Sequence, residues 1–154
     1  MHPKVSVYIA TSLDGFIARL DGRLDWLEHD SGGEDFGFQE FFDSVETVVM
    51  GRGTYGFVAT SGEWPYGGKR TIVLSSTLHD TDVAEHLVGK FEVFSMAPAD
   101  LVERLADDGA RHTYVDGGVT IQRFLRAGLI DEMTVSRMPV LLGADITVRV
   151  GLER

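Results

Sequence analysis

Three short segments carry the residue types from which a ligand site is built: Met50-Gly51-Arg52, Leu74-Ser75-Ser76 and Asp116-Gly117-Gly118. Each follows an apolar, strand-like run, and in an open α/β sheet ligands collect beyond the carboxyl ends of the strands. The first and third lead straight into helix-like sequence. Exposed backbone N–H groups at a helix start, with the helix dipole behind them, favour phosphate. Glycine lets that phosphate come close to the backbone. Any one of these glycines would serve equally well as a tight strand-to-helix turn. Three such ends in one sheet point to a phosphate-bearing cofactor.

Gly51-Arg52-Gly53-Thr54-Tyr55-Gly56 matches G-x-G-x-x-G after a strand. A dinucleotide unit that reads NAD also wants an acidic residue ~20 positions on, where it holds the ribose diol. That place holds Ser75-Ser76 instead. Hydroxyls with an arginine nearby suit a 2′-phosphate, so the standard Rossmann reading fails and NADP is expected over NAD.

Other candidates are weaker. His2, His29, His79, His86 and His112 show no metal-ligand spacing, and no metal site is expected. No Gly-x-Ser-x-Gly elbow offers a nucleophile. Asp14, Asp21 and Asp25 lie in one long loop; one of them could supply or relay a proton, although Asp14-Gly15 and Asp21-Gly22 are also turn pairs. The cluster Phe36, Phe38, Phe41 and Phe42 either lines a flat apolar pocket or is plain core.

The elements that must position these residues alternate between strand and helix. Val5–Ala10, Thr47–Met50, Thr71–Leu74, Phe91–Phe94 and His112–Val115 read as strands. A long strand is expected from Glu132 to Leu142, interrupted at Pro139. Ile146–Val150 alternates as a last short strand. Helices are expected to end near Ser44, to open at Gly51, to start at Pro98, and to run through Ile121, Phe124 and Leu125 up to Gly128. This order implies a largely parallel sheet covered on both faces.

The chain has 154 residues, enough for one domain with a proper core. The net charge of −10 argues against general nucleic-acid binding, so any phosphate site must be local. There are no cysteines, hence no disulfides or thiolate metal sites. No run approaches the ~18 apolar residues of a membrane helix. The N-terminal residues lack the apolar region of a secretory signal, and a cytoplasmic location is expected.

Taken in order, the motifs resemble a known family. They are Thr11-Ser12-Leu13-Asp14-Gly15-Phe16-Ile17-Ala18 with Asp21-Gly22 and Asp25-Trp26-Leu27, then Val48-Val49-Met50-Gly51-Arg52 with Thr54-Tyr55, then Leu74-Ser75. Val115-Asp116-Gly117-Gly118, Phe124-Leu125, Leu129-Ile130-Asp131-Glu132 and Pro139-Val140-Leu141-Leu142-Gly143 complete the set. The chain is similar to the dihydrofolate-reductase-like family that includes the reductase domain of the bifunctional riboflavin-biosynthesis deaminase-reductase.

The resemblance implies one three-layer α/β sandwich over residues 1–154. Its central sheet would be mixed but mostly parallel, with an antiparallel C-terminal portion. It implies NADP(H) across the strand ends chosen above. Gly51, Arg52 and Thr54 would meet phosphates at one helix start. Gly117, Gly118, Val119 and Thr120 would hold the pyrophosphate at the other. Leu74, Ser75 and Ser76 would lie by the adenosine ribose and its 2′-phosphate, and Thr11 near the nicotinamide. Ser12, Trp26 and Phe38 would face the substrate, with Asp14 as the catalytic residue beside it. Two departures stand out: Gly53 and Gly56 replace larger residues, and the C-terminal hairpin is shortened or altered after residue 143.

Two functions follow. One is NADPH-dependent reduction of a small pterin- or pyrimidine-like heterocycle, which needs no covalent residue. The other is a non-catalytic NADP-binding or oligomerisation module. A homodimer is expected, because Ile146, Val148 and Val150 offer an alternating strand with no later segment to cover it.

Overall fold

The first apolar run forms β1 (Lys4–Thr11), which continues through a turn into a short β2 (Phe16–Ala18). In the computed structural model of the chain, residues 2–18, 37–139, 141 and 146–147 are described. The further elements are α1 (Phe38–Ser44), β3 (Thr47–Gly51), α2 (Arg52–Ser61), β4 (Arg70–Leu74), β5 (Glu92–Phe94), α3 (Pro98–Asp107), β6 (His112–Asp116), α4 (Gly118–Arg126), β7 (Glu132–Arg137) and β8 (Ile146–Thr147).

Six strands form one sheet in the order β5-β4-β3-β6-β1-β7, and each neighbouring pair is parallel. Parallel neighbours need crossovers, and these carry the helices onto both faces. Alternation along β3 decides the sides. Val49 faces a core made with Leu101, Val102 and Leu105 of α3 and Ile121 and Phe124 of α4. Val48 and Met50 face the other core, with Tyr55 and Val58 of α2 and the phenylalanines of α1. The expected three-layer α/β sandwich is therefore the fold.

The structure corrects three details. Phe16–Ala18, read as loop, is a strand: it pairs antiparallel with β8, Phe16 opposite Thr147 and Ala18 opposite Ile146. The segment is too short to show periodicity, and its partner lies at the far end of the chain. Ile146 therefore has a strand partner, so the unpaired edge that suggested a homodimer loses its basis at that position. Second, β7 stops at Arg137, two residues before Pro139, rather than running to Leu142. Met138 still donates to the Thr11 carbonyl at 2.7 Å, but proline has no N–H to continue the ladder. Third, antiparallel pairing among the described residues is confined to β2 and β8, apart from the main sheet.

His112 has a structural task. One ring nitrogen lies 2.8 Å from the Ser6 hydroxyl and the other 3.2 Å from the Ser44 carbonyl, which fastens the end of α1 to the sheet. The Glu46 carboxylate accepts the backbone N–H groups of Arg111 and His112 at the same end. Those donors hold its carboxyl below the usual range, the Arg111 N–H most of all.

Gly56 lies inside α2, is exposed, and has nothing within 4 Å of where a Cβ would stand. Gly56→Ala is therefore expected to stabilise the protein by about 1 kcal/mol, from helix propensity alone. Urea unfolding monitored by circular dichroism measures this; no gain would mean that α2 needs the glycine for something other than its helix. No helix among the described residues is long and apolar enough to cross a membrane.

Candidate functional site

Because β4, β3, β6 and β1 are consecutive and parallel, their carboxyl ends lie side by side on one rim of the sheet. That rim carries Leu74-Ser75, Gly51-Arg52, Asp116-Gly117 and Thr11-Ser12 in spatial order. The three glycine- or serine-bearing ends picked out by the sequence are thus neighbours, a relation that the linear order does not contain. β3 feeds α2 on one face while adjacent β6 feeds α4 on the other. Such a switch of direction opens a crevice at the strand ends.

The two helix starts meet there and interlock. Gly51 caps α2 and Gly117 caps α4, neither with a side-chain cap bond. A Cβ on Gly117 would fall 2.5 Å from the Thr54 hydroxyl oxygen and 4.0 Å from the Gly51 nitrogen. A Cβ on Gly51 would run into the Thr120 hydroxyl. Gly117 also has φ +94°, a conformation that side chains disfavour. Each helix thus sends a threonine against the other's glycine. Among the described residues neither threonine hydroxyl makes a hydrogen bond, although Thr120 is 4% exposed. First-turn N–H groups, two hydroxyls and exposed Arg52 therefore converge on one small volume. Gly118 is buried in that first turn, and Val119 beside it is 68% exposed.

Along the rim, Ser75 is held by its neighbours. Its oxygen accepts the N–H groups of Thr77 and Leu78 at 3.1 and 3.0 Å. With those acceptor positions filled, its proton is left for Thr77 Oγ1, 3.3 Å away, or for a ligand oxygen. Ser76 is exposed beside it. Leu74 is different: its side chain is in the core, so only its backbone reaches the rim.

At the other flank the sheet parts. β1 pairs with β6 from Lys4↔His112 to Ser6↔Tyr114, whereas its ladder with β7 continues to Thr11↔Arg137. Tyr8, Ile9 and Ala10 are consequently half-buried in a strand that has neighbours on both sides. Thr11 is buried, and its carbonyl is taken by Met138. Ser12 is fully buried; its hydroxyl donates to Asp14 at 2.5 Å and accepts from the Phe16 N–H at 3.0 Å. Ser12 and Asp14 thus build the turn between β1 and β2. Ser12 has no proton left for a substrate, which corrects the substrate-facing role expected of it. Phe38 stands edge-on to Tyr8 at 5.6 Å and to Tyr114 at 6.1 Å, on the face where the sheet parts. Trp26, with Asp21, Asp25 and Phe36, lies outside the described residues.

Sequence reasoning treated Asp116 as a turn residue and missed its environment. Its carboxylate accepts the Gly117 N–H at 2.9 Å and is bonded by the Tyr114 phenol. Burial outweighs both and pushes the carboxyl above the usual carboxylate range. A part-buried acid with a raised pKa, at a strand end beside converging N–H groups, is a functional-site signature. The signal available in the sequence was an acid directly ahead of a glycine pair, at the end of an otherwise apolar strand.

Comparison with known proteins agrees with this architecture. Residues 3–153 match the RibD C-terminal domain. The chain belongs to that family. It is 32% identical to the uncharacterized protein YwjB of Bacillus subtilis, over 95% of this chain and 82% of that one. It is 28% identical to the riboflavin biosynthesis protein RibD of Corynebacterium ammoniagenes, over 95% of this chain but 46% of that protein. A solved structure from Shewanella sp. PV-4, assigned to riboflavin biosynthesis, is 37% identical with a TM-score of 0.86, covering 99% of this chain and 86% of that one. The riboflavin biosynthesis reductase Rib7 of Saccharomyces cerevisiae shares the fold at a TM-score of 0.64 and 14% identity, covering 99% and 80%.

Proposed function

We propose that the protein is an NADPH-dependent reductase of a small pyrimidine- or pterin-like heterocycle. The observation that carries this reading is the convergence of two uncapped helix starts, two hydroxyls without partners and Arg52 on one rim of a parallel sheet. Relatives named for riboflavin biosynthesis, one of them a reductase, support it.

The residues present fit a dinucleotide phosphate. The N–H groups at the starts of α2 and α4, with Thr54 and Thr120, would hold the pyrophosphate. Arg52 and the Ser75 and Ser76 hydroxyls, on adjacent strand ends, would hold the 2′-phosphate. Bound there, the nicotinamide would supply a hydride. The gap between β1 and β6, with Phe38 at its edge, would take the flat heterocycle. Asp116 would give the matching proton, so that the substrate gains one hydride and one proton. Asp116 thereby takes the catalytic place that sequence reasoning gave to Asp14, whose carboxylate is tied into a turn.

Fluorescence titration of the protein with NADPH and NADH tests the reading. NADPH is expected to bind the more tightly. Arg52→Ala is expected to weaken NADPH about tenfold and NADH little, because it removes one charge-assisted bond to the 2′-phosphate. Equal affinity for the two nucleotides in the unaltered protein would sink the cofactor assignment. Consumption of NADPH with a panel of reducible pyrimidines and pterins then tests turnover.

A further inference from the structure

Where β1 and β6 stop pairing, one side chain spans the gap. Tyr114 is the last residue of the shared ladder, and its hydroxyl lies 3.4 Å from the Tyr8 carbonyl on the parted strand. The same hydroxyl bonds the carboxyl of Asp116, two residues along on the same face of β6. The ring cannot swing away. It is 5% exposed and stands edge-on to Phe41 at 5.2 Å and to Phe38 at 6.1 Å. Only the phenol O–H is free to turn, and it has one proton for two acceptors.

We propose that Tyr114 is a positioning residue that holds the Asp116 carboxyl and reverses its own hydrogen bond when Asp116 releases a proton. This rests on the reading of Asp116 as the acid. With Asp116 protonated, its O–H donates to the Tyr114 oxygen, and Tyr114 donates to the Tyr8 carbonyl. When the Asp116 O–H bond breaks and its proton passes to the substrate, a carboxylate remains. The Tyr114 O–H then turns from Tyr8 to that carboxylate. No bond of Tyr114 breaks and no heavy atom needs to move, so the new charge is met by a donor already in place.

The surroundings leave this task to few groups. Those acting on Asp116 are the Gly117 N–H, Tyr114 and, from the loop between α2 and β4, Tyr66. Burial, followed by the Asp116 charge, raises the pKa of both phenols, so each keeps its proton when Asp116 ionises. Tyr8 contributes its carbonyl.

The test is a carboxyl-carbon NMR titration of aspartate-labelled protein, with Asp116→Asn used to assign the resonance. In Tyr114→Phe the Asp116 midpoint is expected to rise by about half a pH unit or more, the scale of one lost hydrogen bond to the ionised form. Turnover should fall several-fold with little change in KM, and the pH profile should move the same way. Tyr66→Phe, which removes no bond to Asp116, should shift the midpoint less. An unmoved midpoint in folded Tyr114→Phe overturns the proposal. Should that variant not fold, the Tyr114 hydroxyl proton in the unaltered protein gives the answer. Its resonance must change with the Asp116 midpoint, and a resonance indifferent to that titration overturns the proposal. NADPH titration of the same samples reads the premise separately. Absence of binding overturns the reductase reading, whereas an unmoved midpoint with NADPH bound overturns only the role of Tyr114.

Discussion

Asp116→Asn is expected to leave the protein folded and able to bind NADPH while lowering turnover by ~100-fold or more, the usual scale for losing a general acid. Asparagine matches aspartate in shape, and its amide oxygen can still accept the Gly117 N–H that the carboxylate accepts at 2.9 Å. What it cannot do is release a proton. The stability change is expected to have the opposite sign to the activity change. Burial raises the folded-state pKa of Asp116 above that of the unfolded chain. Such a carboxyl contributes most stability at low pH, and that contribution is lost as pH rises through the folded-state value. Above it the native state holds a poorly solvated charge, which asparagine removes. Urea unfolding at neutral pH should therefore show Asp116→Asn at least as stable as the unaltered protein. An acid kept at the cost of stability is what a catalytic site requires. Full turnover in Asp116→Asn would reduce the residue to a turn former. Asp14→Asn is the companion measurement: asparagine serves turns nearly as well as aspartate, so a loss confined to Asp116→Asn separates the two acids.

The contrast between these two acids shows which parts of the molecule the sequence made legible. Strand runs such as Thr47–Met50 and His112–Val115 announce themselves through continuous apolar character, and each agrees with the observed strand to within one residue. Glycines at their ends mark the helix starts, for local reasons of backbone freedom. Properties set by contacts distant in sequence were hidden. Nothing near Phe16–Ala18 says that its partner is Ile146–Thr147. Nothing near Asp14 shows its carboxylate taking the Ser12 proton, and nothing near Asp116 shows the phenol of Tyr66 within its field. Tyr8 and Tyr114 read as ordinary core residues of strands. Their hydroxyl-to-carbonyl contact exists only because β1 and β6 part after three paired residues, which is a property of the assembled sheet.

The Gly117 position carries the second large effect, and the geometry changes what a substitution there should do. From the sequence alone, Gly117→Val should block a phosphate and leave the fold untouched. In the structure Gly117 has φ +94° and ψ 130°, a region that is essentially glycine-only. Even alanine there should cost roughly 1–3 kcal/mol of backbone strain. Its Cβ would also stand 2.5 Å from the Thr54 oxygen, so α2 must draw back from α4. Both helix starts would then lose the spacing that lets them address one pyrophosphate. Gly117→Ala is accordingly expected to lower stability by roughly 2–3 kcal/mol and NADPH affinity at least tenfold, about 1.4 kcal/mol. Thr54→Ala separates the two causes. Added to Gly117→Ala, it removes the collision but not the strained φ, so some of the affinity should return while most of the stability loss stays. In a double-mutant cycle this appears as coupling in binding that exceeds the coupling in unfolding. Gly56→Ala, in the same helix but away from the junction, should leave affinity unchanged and so controls for a general effect on α2. If Gly117→Ala loses stability but binds NADPH normally while folded, the glycine serves only its turn. The pyrophosphate would then have to lie elsewhere on the rim.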